Sequence, residues 1–183
     1  MKTKSNVYAL SLTALFTALI FVTTSYARVP ISLGYVNLGD VFIIVGAFTL
    51  PMGYAVIAAA LGGMFADLLA GYVIYMPITL VAKALMALIC SLAYYKNGVK
   101  LYRYIVGAII AGLVMVGVYF VFEGFYYGWG AAIANLPAQI IQPAITIPVG
   151  LIMIFALKKV KHFNTLKENV RFKSKRSEQK IKE

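Results

Sequence analysis

The chain has 183 residues, of which 62% are apolar and only 13% are charged. Soluble domains carry about 25% charged residues, and a chain of this length has too much surface to hide so many apolar side chains. We therefore predict a single membrane domain, at residues 1–157, with no second folded module. The single cysteine, Cys90, and the single histidine, His162, exclude a disulfide framework, a cysteine zinc site and a histidine-based metal or catalytic centre within the membrane.

The net charge of +11 is unevenly distributed along the chain. Residues 158–183 contain ten lysines and arginines against three glutamates. A basic segment beside a membrane span usually faces the anionic headgroups of the cytoplasmic leaflet, so we expect a disordered cytoplasmic tail that contacts anionic lipid. Nucleic-acid binding is the disfavoured alternative, because no folded recognition module accompanies the tail.

Five apolar runs are long enough to cross a membrane as helices, since a span needs about 20 mostly apolar residues. The first run is longer than the apolar core of a signal peptide, so we expect it to be a retained helix. A sixth run, 39–50, has twelve residues and would cover only ~18 Å as a helix. It must begin earlier, near Ile31, or form a short or re-entrant helix. The five long runs are 7–27, 53–71, 77–95, 104–122 and 136–157.

The placement of lysine and arginine predicts on which side of the membrane each loop lies. With six spans, Lys2, Lys4, the 96–103 loop and the basic tail fall on one side, and Arg28 is the only basic loop residue on the other. We therefore predict an all-α membrane protein, a bundle of six transmembrane helices with both termini cytoplasmic. The outer loops, which are rich in glycine and aromatic residues, are then 28–38, 71–76 and 123–135.

Four charged side chains lie at membrane depth, where charges are costly and rarely face lipid. Asp67 and Lys83 lie at similar depth on consecutive predicted helices, so they form either a structural ion pair or a contact to a ligand. Asp40 and Glu123 lie at the outer ends of their helices, where they either join the same site or are hydrated interface residues. All four lie in the outer half of the predicted bundle.

The last predicted helix carries a polar stripe on one face. Its members recur every three or four residues, which is the period of a helix. One interpretation is hydrogen bonding between helices. We favour a wall of hydrogen-bonding groups for a polar ligand, because charged and aromatic residues converge at the same depth. The stripe consists of Asn135, Gln139, Gln142 and Thr146.

These polar residues predict a cup that opens to the outside rather than a pore, because the inner halves of most helices are apolar. A few placed donors and acceptors among apolar walls are typical of a small-molecule pocket. A membrane enzyme is a second hypothesis, but the carboxylates are too few and scattered to suggest a reaction. A stand-alone carrier or a structural subunit is a third, and no convincing internal repeat supports a carrier. We therefore expect a ligand-capturing protein that is not an enzyme and holds no metal.

Small residues recur on the first helix, at Ala9, Ala14 and Ala18. Small side chains let helices approach closely. They serve either packing within the bundle or docking of a partner subunit, since they lie in the predicted cytoplasmic half.

Several segments, in order and on the predicted helices, resemble the S components of energy-coupling factor (ECF) vitamin transporters. S components are the substrate-capturing membrane subunits of these transporters. The resemblance covers nearly all of 7–157 and begins with the Ala14–Ala18 pair. The other segments are VNLGD at 36–40, ADLLAGY at 66–72, MPITLVAK at 76–83, FEGFYYGW at 122–129 and NLPAQIIQ at 135–142.

The resemblance implies a six-helix bundle with a vitamin site near the outer face. The loop after the first helix, here 28–40, and the outer parts of helices 4 to 6 would close over the ligand. The matching positions are Asn37, Asp40, Lys83, Glu123, Trp129, Asn135, Gln139 and Gln142.

The resemblance also implies partners and a location. The Ala14–Ala18 face would dock on a membrane T component, and two cytoplasmic ATPases would use the ATP, since this chain has no GxxxxGK[ST] motif and needs no cofactor. The protein would be a multi-pass protein of the bacterial plasma membrane. The motifs are nearest to S components for pyridoxine-like or hydroxymethylpyrimidine-like compounds, with riboflavin next.

Overall fold

The structure, a computed structural model, describes residues 2–94 and 100–160, without the side chains of residues 2–6. Most of the predicted basic tail, from residue 161, and the predicted inner-loop residue Lys96 lie outside the described residues. A short 3-10 turn, Val73–Tyr75, precedes the fourth helix. The elements are α1 Lys2–Tyr26, β1 Arg28–Pro30, β2 Tyr35–Asn37, α2 Gly39–Thr49, α3 Met52–Ala70, α4 Met76–Ala93, α5 Leu101–Tyr127 and α6 Trp129–Lys159.

Five helices in the described part of the chain are long and apolar enough to cross a membrane, namely α1 and α3 to α6. Each has an apolar stretch of the length that a bilayer core requires, and many large apolar side chains point outward. The chain is therefore a largely helical, multi-pass membrane protein.

Helix α2 is short and lies at the centre of the bundle. It has eleven residues, about 16 Å of helix, and all of them except Phe42 are buried. It packs against α1, α3, α4 and α6. A helix that is apolar on every side is stable only when other elements surround it. Of the two alternatives for the run 39–50, the structure contains the short helix, and the segment near Ile31 is not helical.

The prediction of an outer loop at 123–135 is wrong, because this segment is helical except at one residue. Helix α5 ends at Tyr127 and α6 begins at Trp129. The residue between them, Gly128, has φ +93°, a conformation that glycine adopts without the strain a Cβ would cause. The reversal of the chain therefore needs only this glycine, and both helices extend beyond the apolar runs from which they were predicted.

The segment after α1 forms a β-hairpin that the sequence analysis did not predict. Strands β1 and β2 are antiparallel, and Val29 pairs with Val36 at the centre of the register. The turn between them contains Gly34 at φ +89°. Strand β2 also contacts α6. We call the end of the bundle that carries this hairpin the hairpin end.

Candidate ligand-binding site

A cavity lies at the hairpin end of the bundle. It holds about 560 Å³ of empty space, a volume that includes open solvent at its mouth. Strand β2 and the turn before it cover the cavity, and α3 to α6 supply its polar walls. The lining residues are Thr24, Ile31, Leu33, Gly34, Tyr35, Val36, Asn37, Asp67, Tyr72, Tyr75, Thr79, Lys83, Met115, Tyr119, Glu123, Gln139 and Gln142.

Three elements present their lining residues with helical periodicity. Positions three or four apart lie on one face of a helix, so each helix turns a single polar face to the cavity. The faces are Tyr75, Thr79 and Lys83 from the 3-10 turn and α4, Met115, Tyr119 and Glu123 from α5, and Gln139 and Gln142 from α6.

Lys83 forms a buried ion pair with Asp40. The Lys83 Nζ lies 2.5 Å from Asp40 Oδ1, and the two side chains are 2% and 0% exposed. Gln142 Nε2 donates to the other carboxylate oxygen at 2.5 Å. The alternative that Lys83 pairs with Asp67 is therefore wrong. The partner of Lys83 is Asp40 on α2, because α2 packs against α4 and brings this carboxylate to the ammonium group.

Gln142 also connects the hairpin to α6. Its Oε1 accepts hydrogen bonds from the backbone N–H of Asn37 at 3.1 Å and from the Asn37 side-chain amide at 3.4 Å. Asn37 Oδ1 in turn accepts from the N–H of Gly39 at 3.0 Å, at the start of α2. One glutamine therefore positions both the end of the hairpin and the carboxylate of Asp40.

Glu123 is buried among amide donors. Asn135 Nδ2 donates to its two oxygens at 3.1 and 3.0 Å, and Gln139 Nε2 donates to Oε2 at 2.7 Å. The hydroxyl of Tyr75 donates to Oε1 at 3.3 Å. Within the described residues no lysine or arginine forms an ion pair with Glu123. Asn135 additionally donates to the carbonyl of Leu33 at 3.2 Å, which connects the cluster to the hairpin turn.

Asp67 accepts a hydrogen bond from the hairpin. The hydroxyl of Tyr35 donates to Asp67 Oδ1 at 2.5 Å. Burial disfavours the charged phenolate and raises the pKa of Tyr35 above its ordinary value of 10.0, and the nearby Asp67 raises it further. The phenol therefore stays protonated and remains a donor. The guanidinium of Arg28 lies 5.0 Å from the centre of the Tyr35 ring, on the same hairpin.

Tyrosine rings form a continuous wall between the two carboxylates Asp67 and Glu123. The ring centres of consecutive members are 5.4, 6.1 and 6.4 Å apart, distances at which aromatic rings attract one another. The Tyr119 and Thr79 hydroxyls are hydrogen-bonded at 2.9 Å. The wall runs from Tyr35, which donates to Asp67, through Tyr72 to Tyr75, which donates to Glu123. Tyr119 packs against Tyr75.

Seven of the eight residues proposed from the resemblance lie in or beside this cavity. Two of them, Asp40 and Asn135, do not line it but hydrogen-bond to side chains that do. The remaining five line it directly: Asn37, Lys83, Glu123, Gln139 and Gln142.

Trp129, the eighth of these residues, does not line the cavity. Its side chain is 49% exposed, and its ring centre lies 5.8 Å from that of Phe120 and 5.5 Å from that of Phe125. Helix α6 begins at Trp129, and the indole packs beside α5, where a Cβ on Gly124 would meet it.

The sequence analysis did not identify the tyrosine wall, Thr79 or Met115 as site residues. A signal was present, because Thr79 precedes Lys83 by four residues and Tyr119 precedes Glu123 by four. The residue four positions earlier lies on the same helical face as each charged residue, so this spacing predicts Thr79 and Tyr119 as site residues.

The candidate docking residues Ala14 and Ala18 lie on the exposed surface of α1. The neighbouring alanine of the predicted small-residue face, Ala9, is only 1% exposed and packs inside the bundle. Large apolar side chains flank the exposed pair, with Leu10 62% and Val22 48% exposed. The exposed stripe of α1 therefore has a shallow centre between larger residues.

Comparisons with known proteins agree on one family. The sequence profile of the family described as ECF-type riboflavin transporter, S component, matches residues 4–159. The thiamine precursor transporter HmpT of Lactococcus lactis subsp. cremoris (strain MG1363) is 34% identical over 140 residues, which are 75% of this chain and 80% of that protein. A Pyrococcus woesei protein described as uncharacterised, in the gap 3' region, is 32% identical over 143 residues, 76% of this chain and 95% of that protein.

A solved structure of the S component of a bacterial ECF transporter has the same fold, with a TM-score of 0.64. The match covers 87% of this chain and 98% of that chain at 23% sequence identity, so it concerns the fold alone. The family profile, in contrast, spans most of the sequence, and the Lactococcus relative matches three quarters of it. The chain therefore belongs to the S components of ECF transporters, the substrate-binding membrane subunits for uptake of vitamins or their precursors.

Proposed function

We propose that this protein captures a small water-soluble vitamin or vitamin precursor in the cavity at the hairpin end and delivers it to an ECF-type importer. The observation that carries the proposal is the convergence of Lys83, Glu123, Gln139 and Gln142 on one covered cavity. Polar groups buried in a membrane protein are costly unless they are paired or serve a ligand. A site with such groups at one end of the bundle suits capture better than conduction.

The proposed orientation places the hairpin end outside the cell and both chain termini in the cytoplasm of a bacterium. The asymmetry of lysine and arginine supports it, because Arg28 lies at the hairpin end and Lys100 and Arg103 lie at the opposite end. With α2 counted as a sixth crossing, both termini fall on the same side. The cavity mouth then faces the source of the nutrient.

The proposed substrate is a small heteroaromatic vitamin precursor. The Lactococcus relative is named a thiamine precursor transporter, whereas the family profile is described for riboflavin. The tyrosine wall and amide groups suit a flat ring with hydroxyl or amino substituents. We favour a hydroxymethylpyrimidine-like or pyridoxine-like compound, with riboflavin as the second candidate.

The proposed partners are a membrane T component and two cytoplasmic ATPases. The exposed Ala14–Ala18 face of α1 is where we propose that the T component docks, because small side chains allow helices to approach closely. ATP would be hydrolysed by the ATPases, since this chain lacks the phosphate-binding motif GxxxxGK[ST].

The test is mass spectrometry of what co-purifies with the full chain after expression in rich medium and solubilisation in detergent. We expect a stoichiometric vitamin or precursor in the wild type and its loss in Gln139→Ala. Ala144→Leu, an exposed position of α6, is the matched control and should retain the ligand. An empty wild-type protein that also shows no thermal shift with a panel of vitamins would overturn the proposal.

A further inference from the structure

Two carboxylates that face the cavity form no ion pair within the described part of the chain. Among the charged side chains that the structure describes at the hairpin end, two are positive, Arg28 and Lys83. Three are negative, Asp40, Asp67 and Glu123, so the formal net charge is −1. Lys83 lines the cavity, but its charge is paired with Asp40 behind the wall. Asp67 and Glu123 are therefore the two lining carboxylates that form no ion pair among the described residues.

The same wall contains buried acceptors that accept no hydrogen bond. Gln139 Oε1 and Asp67 Oδ2 have no partner within the described part of the protein, although the two residues are only 8% and 5% exposed. The orientation of the Gln139 amide is fixed, because its Nε2 donates to Glu123 Oε2 at 2.7 Å and an oxygen there would face a carboxylate. Unpaired buried oxygens are costly, and a donating ligand would satisfy them.

Every side-chain hydrogen bond that the structure describes at Glu123 is one that its carboxylate accepts. Both amide groups that contact its carboxylate donate to it, so they compensate for part of the solvation that burial removes. The tyrosine wall lies between this carboxylate and Asp67. Aromatic faces attract positive charge and stack on flat rings.

From these contacts we propose that the cavity selects a flat heteroaromatic ligand that presents N–H donors and is neutral or positively charged, and that it excludes phosphate esters and other anions. An amino-substituted or protonated ring would donate to Gln139 Oε1, Glu123 and Asp67 Oδ2 while its face lies against the tyrosines. This inference rests on the proposed function and specifies its substrate class. A phosphate ester would meet two carboxylates that form no ion pair among the described residues. The ammonium of Lys83 is already paired, and the guanidinium of Arg28, although at the same end, does not line the cavity.

The first test compares matched ligands by calorimetry on the full chain in detergent. One series is hydroxymethyl aminopyrimidine, its analogue with methyl in place of the amino group, and its phosphate ester. A second series is pyridoxamine, pyridoxine and pyridoxamine phosphate, and riboflavin is added as a large uncharged ring. In at least one series the amino compound should bind best, with the other two members weaker by at least roughly tenfold.

The second test removes the carboxylate charges. Glu123→Gln retains the shape of the side chain and should weaken binding of the amino compound by roughly tenfold, while the methyl analogue changes much less. Asp67→Asn removes the carboxylate at the other end of the tyrosine wall. It is the variant to measure if Glu123→Gln does not fold. Ala144→Leu, whose side chain does not line the cavity, should leave all affinities unchanged.

The outcomes distinguish this inference from the proposed function. Riboflavin binding alone, or a phosphate ester that binds as tightly as its parent alcohol, would overturn the donor selectivity and leave capture of a vitamin intact. Unaltered selectivity in both Glu123→Gln and Asp67→Asn would do the same. No binding of any probe, together with an empty purified protein, would overturn the proposed function itself.

Discussion

The ammonium of Lys83 lies 2.5 Å from the carboxylate of Asp40, and this ion pair joins α4 to α2 inside the bundle. Gln142 from α6 donates to the second oxygen of the same carboxylate. Three helices therefore meet at Asp40, which lies at the first turn of the shortest and most enclosed helix. Lys83 lines the cavity, yet its principal interaction holds the scaffold together.

We predict that replacing one partner of this ion pair destabilises the protein more than replacing both partners. Lys83→Met leaves Asp40 buried without its counter-ion, and a loss of about 3–5 kcal/mol is usual when one partner of a buried pair is removed. The double variant Lys83→Met with Asp40→Leu removes both charges and should recover much of the loss. Thermal unfolding in detergent measures all three proteins. A single variant as stable as the wild type would show that the pair contributes nothing to the scaffold.

We predict that Gln139 contributes more to ligand affinity than to the stability of the fold. Its side-chain oxygen has no hydrogen-bond partner among the described residues, and the one side-chain hydrogen bond that the structure gives it is the donation to Glu123. Gln139→Met keeps the length of the side chain and should weaken ligand binding by roughly tenfold, with a loss of stability of at most about 1–3 kcal/mol. Calorimetry with the co-purified ligand and thermal unfolding without it separate the two effects. Equal ligand affinity in wild type and variant would remove Gln139 from the site.

Periodicity predicted three of the four stripe residues of α6 that join the polar network; the hydrogen bond of the fourth, Thr146, goes to the Gln142 carbonyl on its own helix. Asn135, Gln139 and Gln142 recur at helical spacing, and all three lie in the polar network. The partner of Lys83 was not predictable in the same way. Position along a helix determines depth in the membrane, and Asp40 and Asp67 both lie near the hairpin end. Which carboxylate meets the ammonium depends on how the helices pack, and the sequence pattern of one helix does not specify its neighbours.

The sequence pattern also did not predict which segments cover the cavity. The glycine-rich and aromatic segment at 123–135 was predicted as a loop, but it is helical except at Gly128, and the Trp129 ring packs against Phe120 and Phe125 of α5. The hairpin has only three residues in each strand, too few for a clear alternation of apolar and polar positions. Its position depends on long-range contacts such as Tyr35 to Asp67.

The raised pKa of Tyr35 predicts a loss of stability at high pH. Burial, with Asp67 nearby, keeps the folded phenol protonated above the ordinary pKa of 10.0, whereas the phenol of the unfolded chain ionises there. The stabilising contribution is complete below that value and decreases as the pH rises through it towards the folded pKa. Between about pH 9 and 11, the wild type should lose stability more steeply than Tyr35→Phe, which has no phenol to titrate. Parallel slopes for the two proteins in thermal unfolding would contradict this role.

The exposed Ala14–Ala18 face predicts a separation of binding from transport. Ala14→Leu with Ala18→Leu fills the shallow centre of the α1 stripe, so a partner helix could no longer approach closely. Because these side chains lie on the surface and do not line the cavity, ligand affinity of the purified protein should be unchanged. Uptake of labelled substrate by cells that also express the T component and ATPases should be lost. The control Ala134→Leu with Ala144→Leu adds the same bulk at exposed positions of α6 and should preserve uptake. Normal uptake in the α1 variant would place the docking surface elsewhere, and uptake lost in both variants would indicate a general effect of surface bulk.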